Sequence, residues 1–199
     1  GAAWGGEALL GGIGESERIG HMLYALLLGG EAAIREPWRV ALAMVRIACG
    51  EAAALDLFPQ FGDTAALLLR AGDRGINSPQ ASGAGRLFDA AAALAGIRTH
   101  ASYEGQAAIE FEAAIDDSEQ GSYAFDITWE ENMMIFDWRQ LICDIVRDVG
   151  RDSDSGRISA RFHRAMVRLA EDASIHAKKR YGCRTVALSG GVFQNTFLL

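Results

Sequence analysis

Basic residues are in short supply. Nineteen Lys and Arg stand against 26 Asp and Glu, a formal charge of −7 and a pI near 5.1. A general nucleic-acid binder or membrane-surface protein needs a basic face to gain counterion release or lipid attraction, so the balance argues against both and leaves only a local basic pocket. Cysteine is scarce as well. Cys49, Cys143 and Cys183 are far apart and in no C-x-x-C spacing, which implies neither a disulfide framework nor a zinc site and suits a reducing cytoplasm. No apolar run reaches the length of a membrane span, and residues 1–20 lack the basic-then-apolar order of a secretory signal. There is no initiating Met, and the chain ends at Phe197-Leu198-Leu199, so it is expected to be a piece of a longer one. What is present is 199 residues, half of them hydrophobic, enough for a sizeable core in one large domain or two small lobes.

The stretch around which the chain is organised lies near its end. Thr185-Val186-Ala187-Leu188 is a short apolar run that breaks into Ser189-Gly190-Gly191-Val192, with Asn195 close behind. It reads as a buried strand feeding a tight loop, since glycine accepts the positive φ and close approach that such a turn needs. At the C-terminal edge of a sheet, bare amides can cradle a phosphate, and Ser189 and Asn195 either hydrogen-bond phosphate or ribose oxygens or cap the turn. Pro37 is placed to open a helix that Gly50 stops, with Arg35 and Arg39 straddling its start. Two arginines there oppose the macrodipole, so they are either paired with Glu31 and Glu36 or offered to an external anion.

A helical piece is expected from Asp63, as its cap, to Gly72. The polar loop through Ser78, Ser82, Gly83 and Gly85 leads into a helix with Leu87, Phe88, Ala91, Leu94 and Ala95 as its apolar stripe, its N-terminus left open for an anion or a substrate carbonyl. Asp89, one turn inside, is either a solvated carboxylate or one reaching into a cleft. Gly105, inside the first turn of a helix over Tyr103 to Ile115, suggests close packing, and Glu110 and Glu112 point away from each other as solvated residues. A hairpin is expected over 121–136, a helix from Asp137 to Val149, and a long helix over Ile158 to Tyr181. His163 within it has no visible acid or nucleophile partner, and His21 has no second ligand at metal spacing.

These pieces alone describe an α/β nucleotide-binding domain. Together, however, Trp4-Gly5-Gly6-Glu7, Arg35-Glu36-Pro37-Trp38-Arg39, Asn77-Ser78-Pro79 with Gly85-Arg86-Leu87-Phe88-Asp89-Ala90, Tyr103-Glu104-Gly105-Gln106-Ala107, Ala160-Arg161-Phe162-His163 and Leu188-Ser189-Gly190-Gly191-Val192-Phe193-Gln194-Asn195 resemble the C-terminal carbamoyltransferase domain of the HypF family of NiFe-hydrogenase maturation factors. Order and approximate spacing match across nearly the whole chain.

The resemblance implies an actin-like α/β fold, of the sugar-kinase and Hsp70 ATPase type, present in part: residues 1–30 as the end of the first lobe with its connection, and 31–199 as the second lobe without its last part. It implies a parent that turns carbamoyl phosphate and ATP into carbamoyl adenylate and passes the carbamoyl group to the C-terminal cysteine of HypE, for the cyanide ligands of the hydrogenase. The ligand contacts it implies are Ser189, Gly190, Gly191, Val192, Asn195, Asp89 and Gly85, with Arg35 and Arg39 as anion contacts. No catalytic side chain falls in this stretch, because the nucleophilic cysteine is the partner's. The family's metal ligands, zinc-finger and other carbamoyl-transfer modules fall outside it, so the chain alone is expected to bind no catalytic metal and to be inactive. Two alternatives keep the fold: an O-carbamoyltransferase or a tRNA threonylcarbamoyl transferase, and a non-catalytic nucleotide-binding or docking lobe.

Overall fold

The computed structural model describes residues 2–12 and 14–199, so Gly1, one of the glycines of the N-terminal run, lies outside the described residues. In chain order the elements are β1 (Glu7–Gly11), β2 (Ser16–Met22), β3 (Ala25–Leu26), α1 (Ala32–Arg35), α2 (Pro37–Cys49), α3 (Glu51–Leu57), α4 (Gly62–Asp73), β4 (Gln80–Ala81), α5 (Ala84–Leu94), α6 (Gln106–Ala113), β5 (Asp126–Glu130), β6 (Met133–Asp137), α7 (Arg139–Val149) and α8 (Ser155–Tyr181). Short 3-10 turns follow at Gly191–Gln194 and Thr196–Leu198. One sheet runs β1-β2-β6-β5, with β2 and β6 parallel and both outer pairs antiparallel. The parallel step, with Gly20 opposite Met134 and Met22 opposite Phe136, needs a long crossover, and α1 to α6 supply it. β3 and β4 form a separate small antiparallel pair.

The crossover is held by two helices that are apolar nearly all round. In α2, Trp38 and the run Val40 to Val45 are all buried, and in α5 so are Leu87 through Leu94. A helix with no polar face must be covered on every side, and α2 meets α5, α7 and β3. The four alanines Ala90 to Ala93 let it approach α5 closely. Ile19 and Met22 of β2 enter the same core as Phe111, Trp138 and Phe162, so residues 7–22 share both sheet and core with the later segments. α2 begins at Pro37, as N1, and ends at Gly50, whose φ of +95° suits glycine. The side chain of Asp137 accepts from the Arg139 amide at 3.0 Å at the start of α7.

Several local expectations are corrected. Thr185 to Ser189 is extended but exposed and enters no ladder, with Val186 55% exposed. A strand satisfies its amides and carbonyls only through a neighbour, and this run reaches neither edge of the sheet. Asp63 makes no cap. α4 starts behind Phe61, and Gly72 lies inside it, where its missing side chain admits Leu28. Gly105 is the residue before α6, at φ +84° with open space around it, so it serves conformation rather than close packing. Glu110 is ion-paired with Arg98 at 2.7 Å rather than free in solvent.

Candidate functional site

The C-terminal loop is built to hold one part still and leave another bare. Gly182 ends α8 in the left-handed conformation, the chain extends to Ser189, and Gly190 turns it at φ +99° into the 3-10 turn. Asn195 anchors the result. It is buried, its Oδ1 accepts from the Phe197 amide at 3.1 Å, and its Nδ2 lies 3.0 Å from His163 Nε2. His163 Nδ1 donates to the Ser159 carbonyl at 2.8 Å, which leaves Nε2 as the acceptor for the Asn195 amide. Burial lowers the His163 pKa, partly opposed by the Ser159 carbonyl, so the ring stays neutral and keeps that role. Thr196 adds a second tether, its amide and hydroxyl both donating to Glu112 at 2.7 Å.

Above these tethers Ser189, Gly190 and Gly191 are exposed, and Val192 packs partly on the core. The amides of Gly190, Gly191 and Val192 make no hydrogen bond among the described residues. A Cβ built at either glycine meets nothing, so a ligand has room to approach the backbone. Three free donors on a rigid loop suit an anion.

The turn packs beside α5, the helix that carries Asp89. Phe88 meets His163 edge-on at 5.5 Å and Phe162 at 4.8 Å, so Asp89 and Asn195 hang from one aromatic cluster. Asp89 is 4% exposed, and its carboxylate accepts no hydrogen bond among the described residues; Arg86 Nη1 stands 3.0 Å from Oδ2 without hydrogen-bonding geometry. Burial pushes its pKa up to about 6, against the pull of Arg86 and with some help from Glu104. A buried carboxylate still ionised at neutral pH, with Arg86 as its one charged partner among the described residues, can also accept from a ligand hydroxyl. Gly85, one turn earlier, is half-buried with open space around it.

The N-terminus of α5, expected to be open, is covered. Gly5 accepts from the Ala84 amide at 3.4 Å, and Ser82 donates to Glu7 Oε1 at 2.6 Å. Burial raises the Glu7 pKa, but Arg18, Ser82 and the Gly5 amide outweigh it and hold the group below its ordinary value. The segment ahead of β1 thus lies over the start of α5.

The two arginines separate. Arg39 gives Nε and Nη2 to Glu36 at 2.9 and 3.1 Å and reaches the Leu28 carbonyl at 3.4 Å. Trp38 Nε1 donates to the same carboxylate at 3.0 Å while its ring stacks on Phe61 at 3.8 Å. Arg35 is exposed and has no acidic partner within 4.0 Å among the described residues. No hydrogen bond or ion pair joins either arginine to Asp89 or Asn195 among the described residues. Two surface hollows lie elsewhere, one lined by Leu57, Phe58, Ala93 and Val149, the other by Leu67, Arg70, Arg74 and Ile76. No group of three or more His, Cys, Asp or Glu is placed to hold a metal among the described residues. His163 escaped the sequence reading because its partner is 32 residues away and polar rather than acidic.

A family model described as "Carbamoyltransferase, Kae1-like Domain, second subdomain" matches residues 1–199. The chain belongs to the HypF carbamoyltransferase family. It is 34% identical to the carbamoyltransferase HypF homolog of Cupriavidus necator, over all of this chain and 52% of that protein. It is 35% identical to carbamoyltransferase HypF of Rhizobium leguminosarum bv. viciae, over all of this chain and 25% of that one. The chain therefore spans about half or a quarter of these HypF relatives. A crystal structure of full-length HypF in the phosphate- and nucleotide-bound form superposes with a TM-score of 0.92 at 35% identity, over the whole chain and 26% of that structure. HypF of T. kodakarensis superposes at 0.82 with 25% identity, over 98% of this chain and 27% of that one. The fold is the α/β, actin-like type of this HypF domain.

Proposed function

We propose that the chain forms one wall of the nucleotide cleft of a carbamoyltransferase that makes carbamoyl adenylate from ATP and carbamoyl phosphate and hands the carbamoyl group to the C-terminal cysteine of HypE, on the way to the cyanide ligands of NiFe-hydrogenase. The observation that carries this is the set of free amides at Gly190, Gly191 and Val192, on a loop tethered through Asn195 and His163 against the helix that carries Asp89, a buried carboxylate paired, among the described residues, with Arg86 alone. Family membership supports it, as does likeness to a HypF solved with phosphate and nucleotide.

In this reading the amides and the Ser189 hydroxyl bind phosphate oxygens, and Asp89 accepts from ribose hydroxyls. Gly85 gives the sugar room. Arg35, the uncommitted one of the two arginines, meets an anion when the cleft is complete, while Arg39 positions the segment. The chain contributes orientation and charge stabilisation rather than a nucleophile, because donors fixed before the reaction need no reorganisation as charge develops. We place the lobe boundary ahead of β1 rather than near residue 30, since β2 pairs with β6 and enters the same core. The protein is cytoplasmic in this reading. No helix of the described residues is long and apolar enough to cross a membrane.

The test supplies the full-length protein with ATP, carbamoyl phosphate and HypE, and follows the HypE C-terminal peptide by mass spectrometry. Carbamoylation that falls at least tenfold in Asp89→Asn and Asn195→Ala is expected. Unchanged turnover in both would favour a non-catalytic lobe, and an unmodified HypE tail would point to another acceptor. The isolated chain, with one wall only, is expected to show weak thermal stabilisation by an ATP analogue.

A further inference from the structure

One pair of groups takes no part in that site. Cys49 is the last residue of α2, Cys143 lies in the second turn of α7, and their sulfurs are 2.7 Å apart although 94 residues separate them. The Cys143 thiol donates to the Ala48 carbonyl at 3.3 Å, which turns it onto the end of α2. Both residues are half-buried. Cys183 contacts neither sulfur among the described residues. Two helices that pack side by side and bring their thiols this close offer a candidate cross-link.

We propose that Cys49 and Cys143 are a reversible dithiol–disulfide site, oxidised by a low-molecular-weight disulfide such as oxidised glutathione, that staples the C-terminal end of α2 to α7. One thiolate attacks a glutathione sulfur, forming a mixed disulfide and releasing one glutathione thiolate. The second thiolate then attacks the protein sulfur of that mixed disulfide and releases the second. The two protons lost by the protein are taken up by the two glutathiones, so two cysteines are oxidised and one glutathione disulfide is reduced. Burial and the Cys143 thiol push Cys49 up to about 12, so exchange starts slowly and the incubation is run to equilibrium.

The experiment equilibrates the full-length protein with mixtures of oxidised and reduced glutathione, quenches with acid and digests with trypsin without reduction. Cleavage after Arg46, Arg70, Arg139, Arg147, Arg180 and Arg184 places Cys49 in residues 47–70, Cys143 in 140–147 and Cys183 in 181–184. A linked peptide 47–70 with 140–147, abolished by dithiothreitol, is expected, along with a higher Tm for the oxidised protein that Cys49→Ser and Cys143→Ser both lack. A link to Cys183, glutathione adducts with no internal link, or no linked peptide at any ratio would overturn the proposal. If a serine variant fails to fold, the wild-type peptide map decides alone.

Discussion

The segment around Glu36 and the loop around Gly190 both carry polar residues at the start of a turn of helix, yet they differ in what those residues have left to give. At Glu36 the inventory is closed: Arg39, Trp38 and the Leu28 carbonyl use each other up, and Phe61 covers the indole. At the loop, Asn195 and His163 use each other up below, while among the described residues three amides stay free above and Asp89 keeps only its ion pair with Arg86. Exposed donors that the fold leaves free can be taken up by a ligand, whereas a completed set of partners points to architecture.

The first way to break this contrast is to remove the lid of the closed set. Trp38→Ala deletes a wholly buried indole and its stack, and should cost about 3–5 kcal/mol in urea unfolding. Loss of less than about 1 kcal/mol would mean the segment is loosely held. Asp89→Asn should act in the opposite sense. Its pKa lies above the ordinary 3.8, at about 6, so the folded state holds a proton between those values that the unfolded state has lost. The ionised group therefore costs stability at neutral pH, roughly 3 kcal/mol by linkage, and that cost vanishes as pH falls from 6 towards 4. Asp89→Asn should accordingly gain stability at pH 7 relative to wild type, lose the advantage near pH 4, and bind nucleotide less well. A wild-type-like pH profile in the variant would remove Asp89 from the site.

Glu36→Ala strands Arg39 and the indole N–H, and should lose about 1–3 kcal/mol with nucleotide affinity intact. Reduced affinity would put that segment in the cleft. Arg35→Ala is the smallest case: an exposed side chain without an ion pair, whose removal should leave unfolding within about 0.5 kcal/mol of wild type. A fall in affinity for the anionic ligand with that stability would assign it to binding.

Legibility in the sequence followed the range of each signal. Pro37 and Gly50 bracket α2 by local stereochemistry, and the alternation over 121–136 pointed to the hairpin that spans Asp126–Glu130 and Met133–Asp137. The apolar run at 185–189 misled because a strand depends on a neighbour that composition does not reveal. Composition alone favoured a solvated Asp89; the resemblance turned it inward, and the structure buries it. The His163–Asn195 bond and the Cys49–Cys143 contact join residues 32 and 94 positions apart, beyond any spacing rule. Arg39 looked available because its competitor, Glu36, was visible but its geometry was not.

The most direct measurement is isothermal titration of a non-hydrolysable ATP analogue into the full-length protein and its Asn195→Ala variant, with Glu36→Ala as the control. Loss of the tether to His163 should weaken binding at least tenfold, about 1.4 kcal/mol, while the control binds as wild type does. Equal affinity in all three would contradict the claim that the free amides beyond Gly190 hold the nucleotide.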